Sequence, residues 1–173
     1  MTGWSGVCLR MVGLLTLAAL QACTPALNWR QVQLQDLKAR LPCKADTATR
    51  PVPLAATPLD LQMMGCEADG ALFAISHVRA QDTEAATQVV QQWRAFALQA
   101  LRTEASQPAS WQAPAWATQA VSLRADGQNP KGQTVQARLT WIRRGTDVYH
   151  LAVYAETLTE SIMQPFLEDL QTP

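Results

Sequence analysis

The sequence lacks the short motifs by which many enzymes and nucleic-acid-binding proteins are identified. Residues 23–173 contain no G-x-S-x-G nucleophile motif and no glycine-rich phosphate-binding loop. Lysine and arginine never form a run of more than two residues, so nucleic-acid binding through counterion release is not expected. We interpret the carboxylate pairs Glu67/Asp69 and Glu168/Asp169 as solvated charges at a turn and a helix end. Glycosidase carboxylates need only meet in space, so that class stays open.

A long apolar run of the kind that spans a membrane is also missing. Near the N-terminus, Arg10 precedes an apolar stretch of about nine residues from Val12 to Leu20. This is roughly half of the ~20 residues that a helix needs to cross a bilayer, so a retained transmembrane anchor is the weaker alternative. A cleaved secretory signal is the preferred interpretation.

Residues 14–23, which end in Leu20-Gln21-Ala22-Cys23, resemble the signal and lipobox of bacterial lipoproteins. The resemblance implies that residues 1–22 are removed and that Cys23 becomes the first residue of the mature chain. It implies a diacylglycerol thioether on the Cys23 thiol and an acyl chain, such as palmitate, on its amine. More than one chain makes membrane attachment stable. Because Thr24 rather than aspartate follows the cysteine, the resemblance also implies the outer membrane, with the protein facing the periplasm.

The remaining chain is long enough for one domain. We expect a short lipidated tether over residues 23–28 and a single α+β domain over residues 29–173, since about 150 residues support one hydrophobic core. The whole chain has 14 basic and 14 acidic residues, and removal of Arg10 with the signal leaves a net charge of about −1.

Cysteine is scarce, with four in the whole chain. Once Cys8 leaves with the signal and Cys23 is acylated, Cys43 and Cys66 remain as a pair in an oxidising compartment, which predicts a disulfide. The alternatives are a metal site with His77 or His150, or a redox pair. Zinc ligands usually cluster at short spacing and redox cysteines usually form C-x-x-C, and neither pattern occurs here. We therefore expect neither a metal nor a cofactor.

Apolar patterning predicts antiparallel strands and one long helix. Alternation over residues 59–63 and 71–78 predicts a β-hairpin, and residues 121–124, 135–141 and 148–154 predict a three-strand meander. The intervening helix begins after Asp82, a good N-cap. Its predicted buried face comprises Ala86, Val89, Val90, Trp93, Phe96, Ala97, Ala100 and Leu101.

Several other segments have weaker signals. The polarity of residues 29–34 alternates, which indicates a first strand or a short amphipathic lead-in. The proline-rich residues 41–58 indicate an extended stretch along the edge of the fold, and residues 103–117 an irregular crossover. A C-terminal helix begins near Thr159 or, preferably, with Pro165 as its first residue. Strands with helices laid on one side are the α+β layout.

The segment from Trp141 to Val153, with its glycine, tyrosine, leucine and valine at Gly145, Tyr149, Leu151 and Val153, is followed by Pro165-Phe166-Leu167. This pattern looks like the Mog1/PsbP-like fold, and by element order the likeness covers residues 71–171. The resemblance implies an antiparallel sheet with one long central helix and a short C-terminal helix packed on it. That group is known for binding and assembly roles more than for catalysis.

Three classes of function remain. The preferred one is a non-enzymatic envelope lipoprotein that binds a protein or cell-wall partner or supports assembly; the alternatives are a carrier with an apolar pocket and an enzyme whose site forms only in space. Trp111 and Trp116 lie outside any periodic element and are candidate partner contacts, unless their indoles fold back over the core. Ser76 and His77 are neighbours on a strand, so they point to opposite faces and do not form a catalytic pair. His77 and His150 could meet across a sheet, but we interpret them as surface or hydrogen-bonded sheet residues.

Overall fold

A computed structural model describes residues 27–173. The predicted signal at residues 1–22 and the predicted acylation site at Cys23 lie outside the described residues. Within the described part of the chain, no helix combines the length and the apolar character needed to cross a membrane.

The fold consists of a two-stranded hairpin, a seven-stranded antiparallel sheet and two helices. The hairpin is formed by β1 (Arg30–Leu34) and β2 (Leu37–Leu41). The order in the large sheet is β3-β4-β5-β9-β8-β7-β6. Its strands are β3 (Asp46–Val52), β4 (Leu59–Ala68), β5 (Ala71–Arg79), β6 (Gln107–Pro108), β7 (Gln119–Gln128), β8 (Thr134–Arg144) and β9 (Asp147–Ala155). Helix α1 (Thr83–Ala100) follows β5, and α2 (Glu160–Leu167) follows β9.

The predicted hairpin and meander are both present, and they join into one sheet. The turn between β4 and β5 uses Asp69 and Gly70, which both have positive φ, at 50° and 71°. Two such residues form the tight turn that suits the twist of a hairpin. The two units meet because β5 pairs with β9 along its whole length, from Ala71↔Ala155 to Arg79↔Asp147.

Helix α1 begins as predicted. The side chain of Asp82 accepts a hydrogen bond from the backbone N of Ala85 at 2.8 Å, as an N-cap does. The buried face is narrower than predicted, because Phe96 is 45% exposed and Ala100 is exposed as well. At about 100° per residue, Phe96 lies about 60° around the helix from Trp93, at the margin of the buried stripe.

The two helices cover opposite faces of the sheet, which corrects the expectation that they lie on one side. Along β9, Val148 and Ala152 pack in the core beneath α1, whereas Leu151 and Val153 pack in the core beneath α2 and the hairpin. Because β9 is apolar on both faces, both faces need a cover. The antiparallel, sheet-dominated α+β class is confirmed.

The start of α2 differs from the preferred prediction. Thr159 is the N-cap residue and Pro165 lies inside the helix, near its end. The burial of Met163, Phe166 and Leu167 on one face stabilises the extra first turn.

The predicted disulfide is confirmed. Cys43 and Cys66 are bonded, with 6.0 Å between their Cα atoms and a sequence separation of 23. The bond ties the chain just after β2 to the end of β4. The proline-rich segment between them contains β3, an exposed edge strand of the large sheet, as its composition predicts.

Candidate functional site

A polar cluster forms where β5 ends and β9 begins. His77 lies opposite Tyr149 and Arg79 lies opposite Asp147 in the β5–β9 register, which places all four on one face. His77 Nε2 is 2.7 Å from Asp147 Oδ1, and Arg79 Nε donates to the same oxygen at 2.9 Å. The rings of His77 and Tyr149 lie 4.9 Å apart.

The ionisation of this cluster follows from its surroundings. Burial lowers the pKa of His77, and the neighbouring Asp147 only partly opposes this effect. Burial alone would raise the pKa of Asp147, but hydrogen bonds from Arg79 and His77 outweigh it and lower that pKa. Burial raises the pKa of Tyr149 to about 12, with help from the negative charges of Asp147 and Asp36. Gln35 of the β1–β2 turn donates a side-chain hydrogen bond to Gln62, which lies opposite His77 in the β4–β5 register, so the tip of the hairpin lies close to the cluster.

The cluster links the end of β5 to the start of β9 through side-chain hydrogen bonds. The His77 ring is only 4% exposed and its Nε2 is occupied by Asp147, so a substrate has no direct access to it. Ser76 points to the opposite face, beside His150, as the strand alternation predicts. Asp147 was missed as a partner of His77, because 70 residues separate the two and only the β5–β9 pairing brings them together.

His150 is enclosed on the other face, beneath α1. Its ring stacks on Trp141 at 4.6 Å and lies 5.2 Å from Trp93. Burial lowers the pKa of His150 to about 3, so the ring is neutral near pH 7. His77 and His150 therefore do not meet. Within residues 27–173 no three histidine, cysteine or acidic side chains are grouped closely enough to hold a metal.

The two candidate tryptophans hold the C-terminal region of the chain. Trp111 Nε1 donates to the Leu167 carbonyl at 3.2 Å, and Trp116 Nε1 donates to the Leu170 carbonyl at 3.0 Å. The Leu167 carbonyl is one of those that a helix end leaves without an internal partner. Both indoles are half-buried against the core beneath α2. These contacts favour the alternative that the indoles cover the core; the predicted partner contact stays a prediction.

The hairpin presents an exposed polar face near the start of the described chain. Its outer face carries Gln31, Gln33, Lys38 and Arg40, since these residues alternate with the buried ones. Two shallow cavities of about 260 and 220 Å³ lie there. The larger is lined by Gln31, Val32, Gln33 and Lys38, and the smaller by Gln31, Ala39, Arg40, Asp169 and Gln171. The sequence predicted β1 but did not indicate that β1 and β2 form a separate two-stranded sheet packed on the main one.

Comparison with known proteins yields no match, either to a protein-family model or to a curated protein. The function is therefore argued from the sequence and from the geometry above.

Proposed function

We propose that the protein is a lipid-anchored binding or assembly protein of the bacterial cell envelope, without a catalytic role. Its partner surface would be the outer side of the β1–β2 hairpin. The observation that carries this proposal is the contrast between the hairpin and the rest of the fold. The two side chains best suited to acid–base catalysis, His77 and His150, are buried, whereas the hairpin presents exposed polar side chains.

The proposed location is supported by two features. The residues around Leu20-Gln21-Ala22-Cys23 resemble a lipobox, and the Cys43–Cys66 disulfide suits an oxidising compartment such as the periplasm. The first described backbone contact is that of Asn28, whose N donates to the Pro42 carbonyl at 2.7 Å. Five residues beyond Cys23 span at most about 17 Å, so the anchored domain would lie close to the outer membrane on its periplasmic side.

A Mog1/PsbP-like assignment remains part of the proposal. The glycine, tyrosine, leucine and valine that suggest it lie on the β8–β9 turn and on β9. Phe166 of α2 packs edge-to-face on Phe73 with 5.5 Å between ring centroids, so α2 closes over the sheet as the resemblance implies. This packing supports the likeness, and a binding role agrees with it.

The anchor can be tested on the full-length protein by mass spectrometry of its N-terminal peptide after export in a bacterial host. We expect a peptide that begins at Cys23 and carries a diacylglycerol and an acyl chain. Cys23→Ser should abolish the modification, and the matched control Cys8→Ser should leave it intact. An unmodified Cys23, or a membrane-bound chain that retains residues 1–22, would contradict the proposed location.

The partner surface can be tested by placing a photo-crosslinking residue at three exposed positions, one variant at a time. Gln33 lies on the hairpin, Gln92 on the outer side of α1, and Ala113 in the segment that carries the two tryptophans. We expect a defined crosslinked product in intact cells from the Gln33 position. A product from Ala113 instead would favour the tryptophan segment, and a product from Gln92 alone would refute both.

A further inference from the structure

Strand β1 has a free hydrogen-bonding edge. In the hairpin Gln31 lies opposite Arg40 and Gln33 lies opposite Lys38. The backbone of Lys38 exchanges two hydrogen bonds with Gln171, outside the hairpin, at 2.8 and 3.0 Å. In an antiparallel pair, two directly opposed residues point their backbone N–H and C=O groups either toward each other or both away from each other, and these two arrangements alternate along the strands. The N–H and C=O groups of Gln31 and Gln33 therefore point away from β2, where residues 27–173 supply no further strand.

The other sheet edges in the described part of the chain are protected. β3 contains Pro51, β6 consists of two residues and ends in Pro108, and the outer edge of β2 is bridged by Gln171. Proline, very short strands and covering segments are the usual means by which proteins prevent strand pairing at an edge. β1 has no proline, and the residues that offer their backbone groups are neutral glutamines. Within residues 27–173, the outer edge of β1 thus has neither a proline nor a covering segment.

We propose that β1 binds an extended segment of a partner protein by strand addition and that this segment carries acidic side chains. The inference rests on the proposed binding function and specifies its contact. Main-chain hydrogen bonds to Gln31 and Gln33 supply the docking, as in other edge-strand complexes. The cavity of about 260 Å³ beside this edge accepts a side chain of the added strand and is lined in part by Lys38.

The positive charge of the hairpin favours an acidic partner segment. Residues 29–41 carry Arg30, Lys38 and Arg40 against a single acidic residue, Asp36. Arg40 is paired with Asp169 at 2.9 Å, whereas Arg30 and Lys38 form no ion pair within residues 27–173. Two unpaired cations beside the edge attract an acidic strand and repel a basic one.

The same charges disfavour a second copy of the chain as the occupant. Antiparallel pairing of two β1 strands about a two-fold axis at Val32 sets Gln31 opposite Gln33 and joins two hairpins that each carry a net positive charge. Like charges across an interface are unfavourable.

Peptide binding to the full-length lipidated protein in detergent tests the proposal. The probes are two pools of eight-residue peptides that alternate valine, isoleucine or threonine with charged residues, which are aspartate or glutamate in one pool and lysine or arginine in the other. Fluorescence anisotropy should show at least tenfold tighter binding of the acidic pool. Hydrogen exchange at Gln31 and Gln33 should slow when the acidic pool is bound.

Two substitutions at one position provide the decisive comparison. Gln33→Pro removes an outward N–H without removing a β1–β2 hydrogen bond, whereas Gln33→Thr removes the same side chain and keeps the N–H. We expect at least a tenfold loss of affinity for the proline variant alone, with thermal unfolding showing that both variants fold. Lys38→Gln should reduce the preference for the acidic pool.

Equal binding by the Gln33→Pro and Gln33→Thr variants would overturn strand addition, and so would the absence of slowed exchange at β1. Equal binding of the two pools would overturn the acidic partner. Slowed exchange at β1 that grows with protein concentration in the absence of peptide would assign the edge to a second copy. The proposed lipid anchor is tested independently of peptide binding, since acylation of Cys23 is measured by mass spectrometry.

Discussion

Acidification should destabilise the fold through His150. The ring is buried between Trp93 and Trp141, and burial lowers its pKa from 6.5 to about 3. Between these two values the unfolded chain takes up a proton that the folded chain does not. The contribution of His150 to stability is therefore complete above pH 6.5 and is lost progressively as the pH falls toward 3.

The size of the effect follows from the proton difference. One proton bound only by the unfolded state changes the free energy of unfolding by about 1.4 kcal/mol per pH unit. A fall in pH from 7 to 5 ends about 1.5 units below the unfolded-state pKa of 6.5. His150 alone should therefore lower the free energy of unfolding by about 2 kcal/mol. The lowered pKa of His77 acts in the same direction, and loss of the Asp147 carboxylate adds to it at lower pH.

Urea unfolding at pH 7, 6 and 5, followed by tryptophan fluorescence, measures this slope. His150→Phe keeps an aromatic ring between the two indoles and removes the titrating group. The variant should lose about 2 kcal/mol less than the unmodified protein between pH 7 and 5, because contributions from His77 and Asp147 are common to both. Equal losses in the two proteins would show that His150 accepts a proton in the folded state and would refute the argument.

Two further predictions concern the disulfide and Trp116, which stabilise the side of the sheet covered by α2 and the hairpin. Cys43→Ser should lower the free energy of unfolding by about 3 kcal/mol, since the disulfide closes a loop of 23 residues; chemical denaturation with and without reductant measures this, and an unchanged midpoint would contradict it. Trp116→Ala should lower stability by about 3 kcal/mol and Trp116→Phe by about 1 kcal/mol, because phenylalanine keeps the packing and loses only the hydrogen bond to Leu170. Normal melting of both variants, with loss of a crosslinked partner, would instead make Trp116 a contact residue.

Local features of the fold could be predicted where one short segment contains the whole signal. The Asp69-Gly70 turn and the Asp82 cap each depend on residues that are close together in sequence. The strand β8 was also predicted from its alternation, but it is buried on both faces, since Arg138 and Thr140 are buried as well. The disulfide was also predictable, because export leaves only Cys43 and Cys66 to pair.

Features that depend on pairing over long sequence distances could not be predicted in this way. The seven-stranded sheet exists because β5 pairs with β9, and no local pattern specifies that choice. The same pairing brings Asp147 to His77 and Arg79. This polar cluster was missed because the sequence around Asp147 indicates only a turn. The side on which each helix packs was misjudged for a related reason: β9 is apolar on both faces and thus gives no preference.

The position of β1 limits what its partner can be. The strand begins two residues after Asn28, which is itself five residues from Cys23. At about 3.4 Å per residue, the far end of β1 lies at most about 40 Å from the anchor. A segment that adds to this edge must therefore come within that distance of the membrane surface. If both proposals hold and the partner is held at the same membrane, release of the domain from its anchor should weaken their association even when β1 is intact.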